Sequence, residues 1–160
     1  MEICLVVLDA DGTFWDHEDI TILTLPFKRI SEDSIIDIKG ECVNLKNDVR
    51  ELLRELKKRG VFVTLVTWNK PEHVYQALRL FGIEKYFDYV KAEFHPNKHL
   101  MIKEILQSLE KKGIKLKPEQ ILYVDDRTVH LEDIRREIGN IRFIQMNKDI
   151  KNLLEVLRYL

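Results

Sequence analysis

The chain has 160 residues, 45% of them apolar, and 26 basic side chains nearly balance 27 acidic ones for a net charge of −1. That apolar fraction supports one core of ordinary domain size and argues against disorder. The charge balance gives no electrostatic pull toward nucleic acid or an anionic membrane, and two cysteines, Cys4 and Cys42, do not make a disulfide framework.

Taken in chain order, Ile3 to Leu8 is predicted as a buried strand, an apolar run that stops abruptly at Asp9-Ala10-Asp11-Gly12-Thr13. Residues 14–46 then interrupt the pattern. Ile20 to Leu25 and Ile35 to Val43 have β character around a polar Ser31-Glu32-Asp33-Ser34, which predicts a two-stranded flap. Asn47 to Arg59 is predicted as a helix capped by Asn47, with Val49, Leu52, Leu53 and Leu56 as its apolar stripe and Gly60 as its stop. Val61 to Val66, rich in β-branched residues, is the next strand. In Asn69-Lys70-Pro71-Glu72, Asn69 is expected to cap a helix, Glu72 to complete a capping box, and Pro71 to sit in the first turn. Val74, Ala77, Leu78 and Phe81 face inward along it and Gly82 closes it. A short strand is predicted near Phe87 to Lys91 and a helix from Pro96-Asn97 to Gly113. Ile121 to Val124 forms another strand that ends in acids, Asp125-Asp126. A short helix from Leu131 to Ile138, a strand from Ile141 to Gln145 and a helix from Lys148 to Leu160 complete the chain.

Strands alternating with helices predict βαβ units. The expected fold class is α/β: a three-layer, Rossmann-like parallel sheet with helices on both faces. One domain over residues 1–160 is expected, carrying a short flap at about 14–46. In such sheets ligands bind beyond the carboxyl ends of the strands. Asp9, Asp11, Thr67, Asp125 and Asp126 all fall there, and Lys98 lies in the first turn of the helix after the third strand. No stretch reads as a signal peptide, and none reaches the roughly 18 apolar residues of a membrane span, so a cytoplasmic location is the expectation.

Carboxylates gathered on one sheet edge repel unless a cation sits among them. Oxygen-only ligands (Asp9, a backbone carbonyl and Asp125) suit a hard ion, Mg²⁺, and no Cys/His pairs stand at zinc spacing. A metal beside a carboxylate points to phosphoryl transfer. Lys98 and the cation neutralise the approaching phosphate, and Asp9 attacks phosphorus to form an aspartyl-phosphate. Asp11 is placed as acid for the leaving alcohol and base for the water that follows. Thr67, Trp68 and Lys98 are the candidate substrate-binding residues.

The motif LDADGT at Asp9, LVT at Thr67, the lysine at 98 and LYVDD at Asp125 together resemble the haloacid dehalogenase (HAD) superfamily, and the resemblance spans nearly the whole chain. It implies Asp9 as nucleophile and metal ligand, and Asp11 as general acid/base and ligand through its backbone carbonyl. Thr67 and Lys98 would hold phosphate, Asp125 would bind metal, and Asp126 would be a ligand or act through water. Trp15, the flap in place of a cap domain, Tyr86-Phe87, Pro96 before Lys98 and the final Asp-Asp are similar to the magnesium-dependent phosphatase-1 group. That group implies phosphotyrosine, other phosphoprotein or sugar-phosphate substrates. Trp68 stands where the group leads one to expect a basic residue, and Gly12 where it has a bulkier one. A second resemblance, to the FkbH-like glyceryl-transfer group, rests on the Asp-x-Asp and its nearby tryptophan; such proteins usually carry extra domains.

Plainer readings stand beside these. Asp9 and Asp11 fit a strand-end turn, Thr67 an ordinary strand position, and Lys98 a solvated lysine near Lys91 and Lys103. Asp133 reads equally as site support or helix surface. His17, His95, His99 and His130 each lie near a motif, although a lone histidine is more often structural. Trp15 and Trp68 are expected at the pocket mouth, with packing as the alternative, and Phe27-Lys28-Arg29 reads as a solvated loop. The competing functions are a phosphate-accepting signalling module and a non-catalytic binding scaffold. The first expects its phosphorylated Asp after strand three, where this chain has Lys91-Ala92-Glu93. The expected partner is therefore a phosphorylated substrate, small molecule or phosphoprotein, with no nucleic acid and no membrane.

Overall fold

In the computed structural model, which describes residues 2–160, the elements run β1 (Leu5–Leu8), β2 (Lys28–Ser31), β3 (Ser34–Ile36), β4 (Cys42–Asn44), α1 (Val49–Lys58), β5 (Phe62–Trp68), α2 (Pro71–Phe81), β6 (Tyr89–Glu93), α3 (Lys98–Lys111), β7 (Ile121–Asp125), α4 (Leu131–Glu137) and β8 (Arg142–Gln145). Every side chain of β1 is buried, as the unbroken apolar run requires of a strand covered on both faces. It lies at the centre of a five-stranded parallel sheet ordered β6-β5-β1-β7-β8.

Alternate residues of β1 serve opposite layers, as the period of a strand dictates. Val6 and Leu8 pack with the stripe of α1 and with Val74, Ala77, Leu78 and Phe81 of α2. Leu5 and Val7 pack with Met101, Ile102, Ile105 and Leu109 of α3 and Ile134 of α4. Truncating one fully buried leucine of the α1 stripe, such as Leu52→Ala, costs about 2–5 kcal/mol. The chain winds outward from β1 through β5 to β6, then crosses back to β7 and β8. The winding reverses between β1 and β7, and a crevice opens beyond the carboxyl ends of strands at such a switch point.

The flap departs from expectation. It is a three-stranded antiparallel sheet, β2-β3-β4, and Ile20–Ile22 is a 3₁₀ turn rather than a strand. The extra strand, β2, covers Lys28 and Arg29 and is exposed on both faces, so no hydrophobic alternation marks it in the sequence. Phe27, just before it, is buried. The segment leading into the flap is stitched along one face of α2. Lys70 N–H donates to Thr21 Oγ1 (3.0 Å), His73 Nε2 to the Leu23 carbonyl (2.9 Å) and Phe27 N–H to Gln76 Oε1 (3.0 Å).

Both expected caps fail. Asp48, not Asn47, precedes α1, and its carboxylate accepts from Leu154 N–H (2.7 Å) rather than capping the helix. Lys70 precedes α2 with no side-chain cap, because Asn69 is buried and turned toward the strand ends. The expected last helix is a 3₁₀ segment at Leu153–Tyr159. A bridge between Met146 and Ile150, with Asn147 at φ 72°, keeps residues 146–150 out of a helix. No helix among the described residues is long and apolar enough to cross a membrane.

Candidate active site

Asp9 leaves β1 with its N–H bonded to the Val124 carbonyl (2.9 Å), which places it directly beside the end of β7. The chain then turns tightly, the Ala10 carbonyl accepting from Thr13 N–H (3.1 Å) and Phe14 N–H (2.7 Å). Gly12 sits at φ +72°, and a Cβ on it would lie 2.5 Å from Asp126 Oδ2. Only glycine allows both that backbone conformation and that approach. Lys46 Nζ donates to the Gly12 carbonyl (2.8 Å) and holds the loop down.

Lys98, the first residue of α3, is buried and reaches inward. Its Nζ lies 2.5 Å from Asp9 Oδ1 and 3.0 Å from Asp125 Oδ2. Thr13 Oγ1 donates to the other Asp9 oxygen (3.1 Å). Asp125 is held further by the Tyr123 hydroxyl on Oδ2 and by Arg127 N–H on Oδ1 (3.1 Å). Asp9, Asp125 and Asp126 each offer a carboxylate oxygen, and those oxygens lie within 4.8 Å of one another.

One ammonium pairs with two of the three carboxylates, Asp9 and Asp125, and the electrostatics show the shortfall. Burial raises the Asp9 carboxyl well above its usual range; Lys98 opposes this and Asp125 adds to it. Burial also resists ionisation of Asp125, yet Lys98, the Tyr123 hydroxyl and the Arg127 N–H hold it at about 2. Asp126 is raised by burial and by its neighbour Asp125. Burial works against the charge of Lys98, and the Asp9 and Asp125 carboxylates more than offset it. Asp126 Oδ1 is buried with no partner. A buried carboxylate oxygen left unpaired costs on the order of 1–3 kcal/mol or more. An all-oxygen donor set with one unpaired buried oxygen fits a hard divalent cation, and Asp9, Asp125 and Asp126 are the side chains able to hold it.

Asp11 has different surroundings. Its Oδ1 accepts from Trp15 Nε1 (2.8 Å) and Ile20 N–H (3.4 Å), and its Oδ2 from Asn69 Nδ2 (2.8 Å). Burial raises its carboxyl, and those three donors only partly counter it. The other N–H of Asn69 goes to Thr67 Oγ1 (2.8 Å). Since Thr67 accepts there, its own O–H is left to donate into the cavity.

Asp9, Asp11, Thr67, Trp68 and Lys98 line one cavity of about 510 Å³, with Glu18, Asp19, Phe94, Asp126 and Arg127. Asp125 lies beneath it, against Lys98. Trp68 is at the mouth, 43% exposed, as expected. Trp15 is not: it is fully buried, stacked on Phe81 and edge-on to Phe14. None of the five histidines lines the cavity. His95 pairs with Glu93 (2.8 Å), His17 lies 3.6 Å from Glu41, and Asp133 makes a surface pair with Arg136 (2.6 Å). Asn69, Tyr123 and Phe94 are among the participants that sequence reasoning missed. Tyr123 carried a usable signal, two residues before Asp125 and so on the same face of β7.

A parallel sheet whose acid-tipped strands surround one buried lysine defines an α/β fold built to handle phosphate. The chain belongs to the acid phosphatase family, whose model, described as Acid Phosphatase, matches residues 3–149. It is 30% identical over 154 residues to magnesium-dependent phosphatase 1 of Homo sapiens, an alignment covering 96% of this chain and 84% of that one. The fold is that of HAD-superfamily hydrolases. A HAD-superfamily hydrolase of subfamily IA from Geobacter sulfurreducens superposes with a TM-score of 0.67 at 20% identity, over 99% of this chain and 100% of that one. The N-terminal part of a Bacteroides fragilis protein, containing a phosphatase domain complexed with Mg, superposes with a TM-score of 0.64 at 14% identity, over 98% of this chain and 39% of that one. The resemblance read from the motifs is borne out, and the chain is a phosphatase, a hydrolase of phosphoric monoesters.

Proposed function

We propose that residues 1–160 act as one magnesium-dependent phosphomonoesterase working through an aspartyl-phosphate on Asp9. The observation that carries this reading is the cluster of buried Asp9 and Asp125, paired with Lys98, and partly buried Asp126, short of positive charge and with one carboxylate oxygen unpaired. Asp9 must be ionised to attack, and burial beside Asp125 resists ionisation. Asp9, Asp125 and Asp126, together with the Asp11 backbone carbonyl, would hold magnesium, which would supply the further positive charge needed for a carboxylate to meet a phosphate dianion.

The chain's own residues do the rest. Lys98 and the Thr67 hydroxyl bind the phosphate oxygens as Asp9 attacks phosphorus. Asp11, whose burial favours the protonated form, gives its proton to the departing oxygen and takes one back from the water that cleaves the acyl phosphate. Trp68 and Phe94 flank the mouth. No residue of the β2-β3-β4 sheet lines the cavity, so phosphotyrosine or other phosphoprotein groups and sugar phosphates are all substrates to test.

Turnover of p-nitrophenyl phosphate should require Mg²⁺ and disappear in Asp9→Asn. Full activity in that variant would overturn the nucleophile assignment. A panel of phosphotyrosine peptides and sugar phosphates then ranks the substrates by kcat/KM.

A further inference from the structure

We propose that Asn69 is a positioning residue that aims the Asp11 carboxyl at the leaving-group oxygen, and that Thr21 on the way into the flap fixes Asn69 in turn. This rests on the reading of Asp11 as the general acid and base.

Asn69 is fully buried, where an amide needs partners for two N–H bonds and an oxygen. All three are found, and each lies on a different piece of the site. One N–H goes to Asp11 Oδ2 (2.8 Å) and the other to Thr67 Oγ1 (2.8 Å). The Thr21 oxygen accepts from Lys70 N–H, so its O–H is free to donate, which sets the amide nitrogen toward Asp11 and the amide oxygen toward Thr21. That oxygen accepts from Thr21 Oγ1 (2.5 Å), whose own place is set by Lys70 N–H (3.0 Å). The other Asp11 oxygen is held by Trp15 Nε1 (2.8 Å). With Ile20 N–H (3.4 Å) also on that second oxygen, the carboxyl is pinned at both ends, and Oδ2, which takes one donor, keeps a lone-pair direction for the proton it transfers. With Asn69 gone, Oδ2 loses its anchor and the carboxyl can pivot about its Cβ–Cγ bond. Proton transfer needs hydrogen-bond reach, so a pivoting acid loses efficiency without losing its charge or its place in the chain.

The consequence is specific to one bond. In the first step the Asp9–phosphorus bond forms, the ester P–O bond breaks, and the Asp11 proton passes to the departing oxygen. A p-nitrophenolate leaves without that proton, whereas an alkoxide does not. kcat/KM reports the enzyme up to this step, so misaiming Asp11 lowers it for alkyl phosphates far more than for aryl phosphates. A merely structural defect, or loss of a phosphate contact, lowers both alike.

The test is kcat/KM with p-nitrophenyl phosphate and with a simple alkyl phosphate, at saturating Mg²⁺, for the native chain and for Asn69→Leu, Thr21→Val, Thr67→Val and Asp11→Asn. General acid catalysis is worth on the order of 10²–10⁴-fold. Asn69→Leu is expected to lose about 10- to 100-fold on the alkyl ester and about threefold on the aryl ester. Thr21→Val, at a partly exposed position that tolerates change, should show the same selectivity at smaller size and serves alone if Asn69→Leu does not fold. Thr67→Val supplies the pattern of uniform loss. Equal losses on both esters in Asn69→Leu and Thr21→Val, or none on either, would overturn the positioning role. Asp11→Asn with no preference for the good leaving group would instead overturn the acid/base reading beneath it.

Discussion

Gly12 stands against Asp126 so closely that a single methyl group between them would lie 2.5 Å from Asp126 Oδ2. The nucleophile loop and the end of β7 are therefore fitted to one another through a missing side chain. Gly12→Ala is expected to strain a backbone at φ +72°, at about 1–3 kcal/mol, and to push Asp126 out of the carboxylate cluster. The Mg²⁺ concentration for half-maximal turnover should rise about tenfold, equivalent to about 1.4 kcal/mol of binding. Asp126→Asn removes the charge without the strain and should move it the same way. An unchanged requirement in both variants would take Asp126 out of the metal site.

Lys98 is the only ammonium within reach of Asp9 and Asp125 among the described residues. Lys98→Met leaves two buried carboxylates without it. Metal-free protein should lose about 3–5 kcal/mol, the cost of breaking a buried ion pair from one side. Activity should fall by about 10²–10³-fold as a charged donor to the phosphate disappears. Thermal unfolding with and without Mg²⁺ separates the two effects. The metal should restore part of the stability, by about 2.7 kcal/mol at a hundred times its Kd, without restoring turnover.

His130 sets a pH dependence for stability. It is buried beside Lys98 with Nε2 unpartnered, and burial, then Lys98, push it down from the ordinary 6.5 to about 4. Between those values the unfolded chain binds the proton and the fold does not, so the contribution of His130 to stability is full above about 6.5 and falls as pH drops toward about 4. One proton limits the slope to about 1.4 kcal/mol per pH unit. The Asp125 transition, depressed to about 2, lies below that window. Asp9, Asp11 and Asp126, raised by burial, contribute with the opposite sign in this range, so the reading is the difference between native and His130→Gln profiles from chemical unfolding at several pH values. That difference should change between pH 4 and 6.5, and parallel profiles would contradict the buried neutral imidazole.

Trp68 presents 43% of its surface at the cavity mouth next to Phe94. Trp68→Ala is expected to raise KM for aryl phosphates by about 3- to 10-fold, in keeping with an aromatic contact of about 0.5–1.5 kcal/mol. kcat should be nearly unaltered, and KM for a small acyl phosphate should change less than KM for the aryl ester. Equal shifts for both would show that Trp68 shapes the phosphate site itself rather than the leaving-group wall.

The chemistry was legible in the sequence wherever an apolar strand ended in a polar residue. Leu5 to Leu8 and Ile121 to Val124 are too apolar to be anything but central strands, so Asp9 and Asp125 had to emerge together at the edge where winding reverses. Residues whose partners lie far along the chain were not legible. Asn69 before Lys70-Pro71 has every local mark of a helix cap, and what overrides it is Thr21, 48 residues away, together with Asp11. Trp15 follows the motif closely enough to be placed at the mouth, yet its indole N–H is spent on Asp11 and its rings on Phe81. β2 carries no alternation because neither of its faces is covered. The helix expected from Lys148 onward is delayed because the left-handed Asn147 and the bridge between Met146 and Ile150 hold its first residues in a turn.

Hydrolysis through Asp9 requires a covalent bond between its carboxylate and phosphorus. Quenching the enzyme during turnover with Mg²⁺ and substrate, reducing with borohydride and mapping the peptides by mass spectrometry reads that bond directly, since an aspartyl-phosphate is reduced to homoserine. Homoserine at position 9, absent without substrate and absent in Asp9→Asn, is the expected result. A trapped residue at any other position, or undiminished turnover by Asp9→Asn, would contradict it.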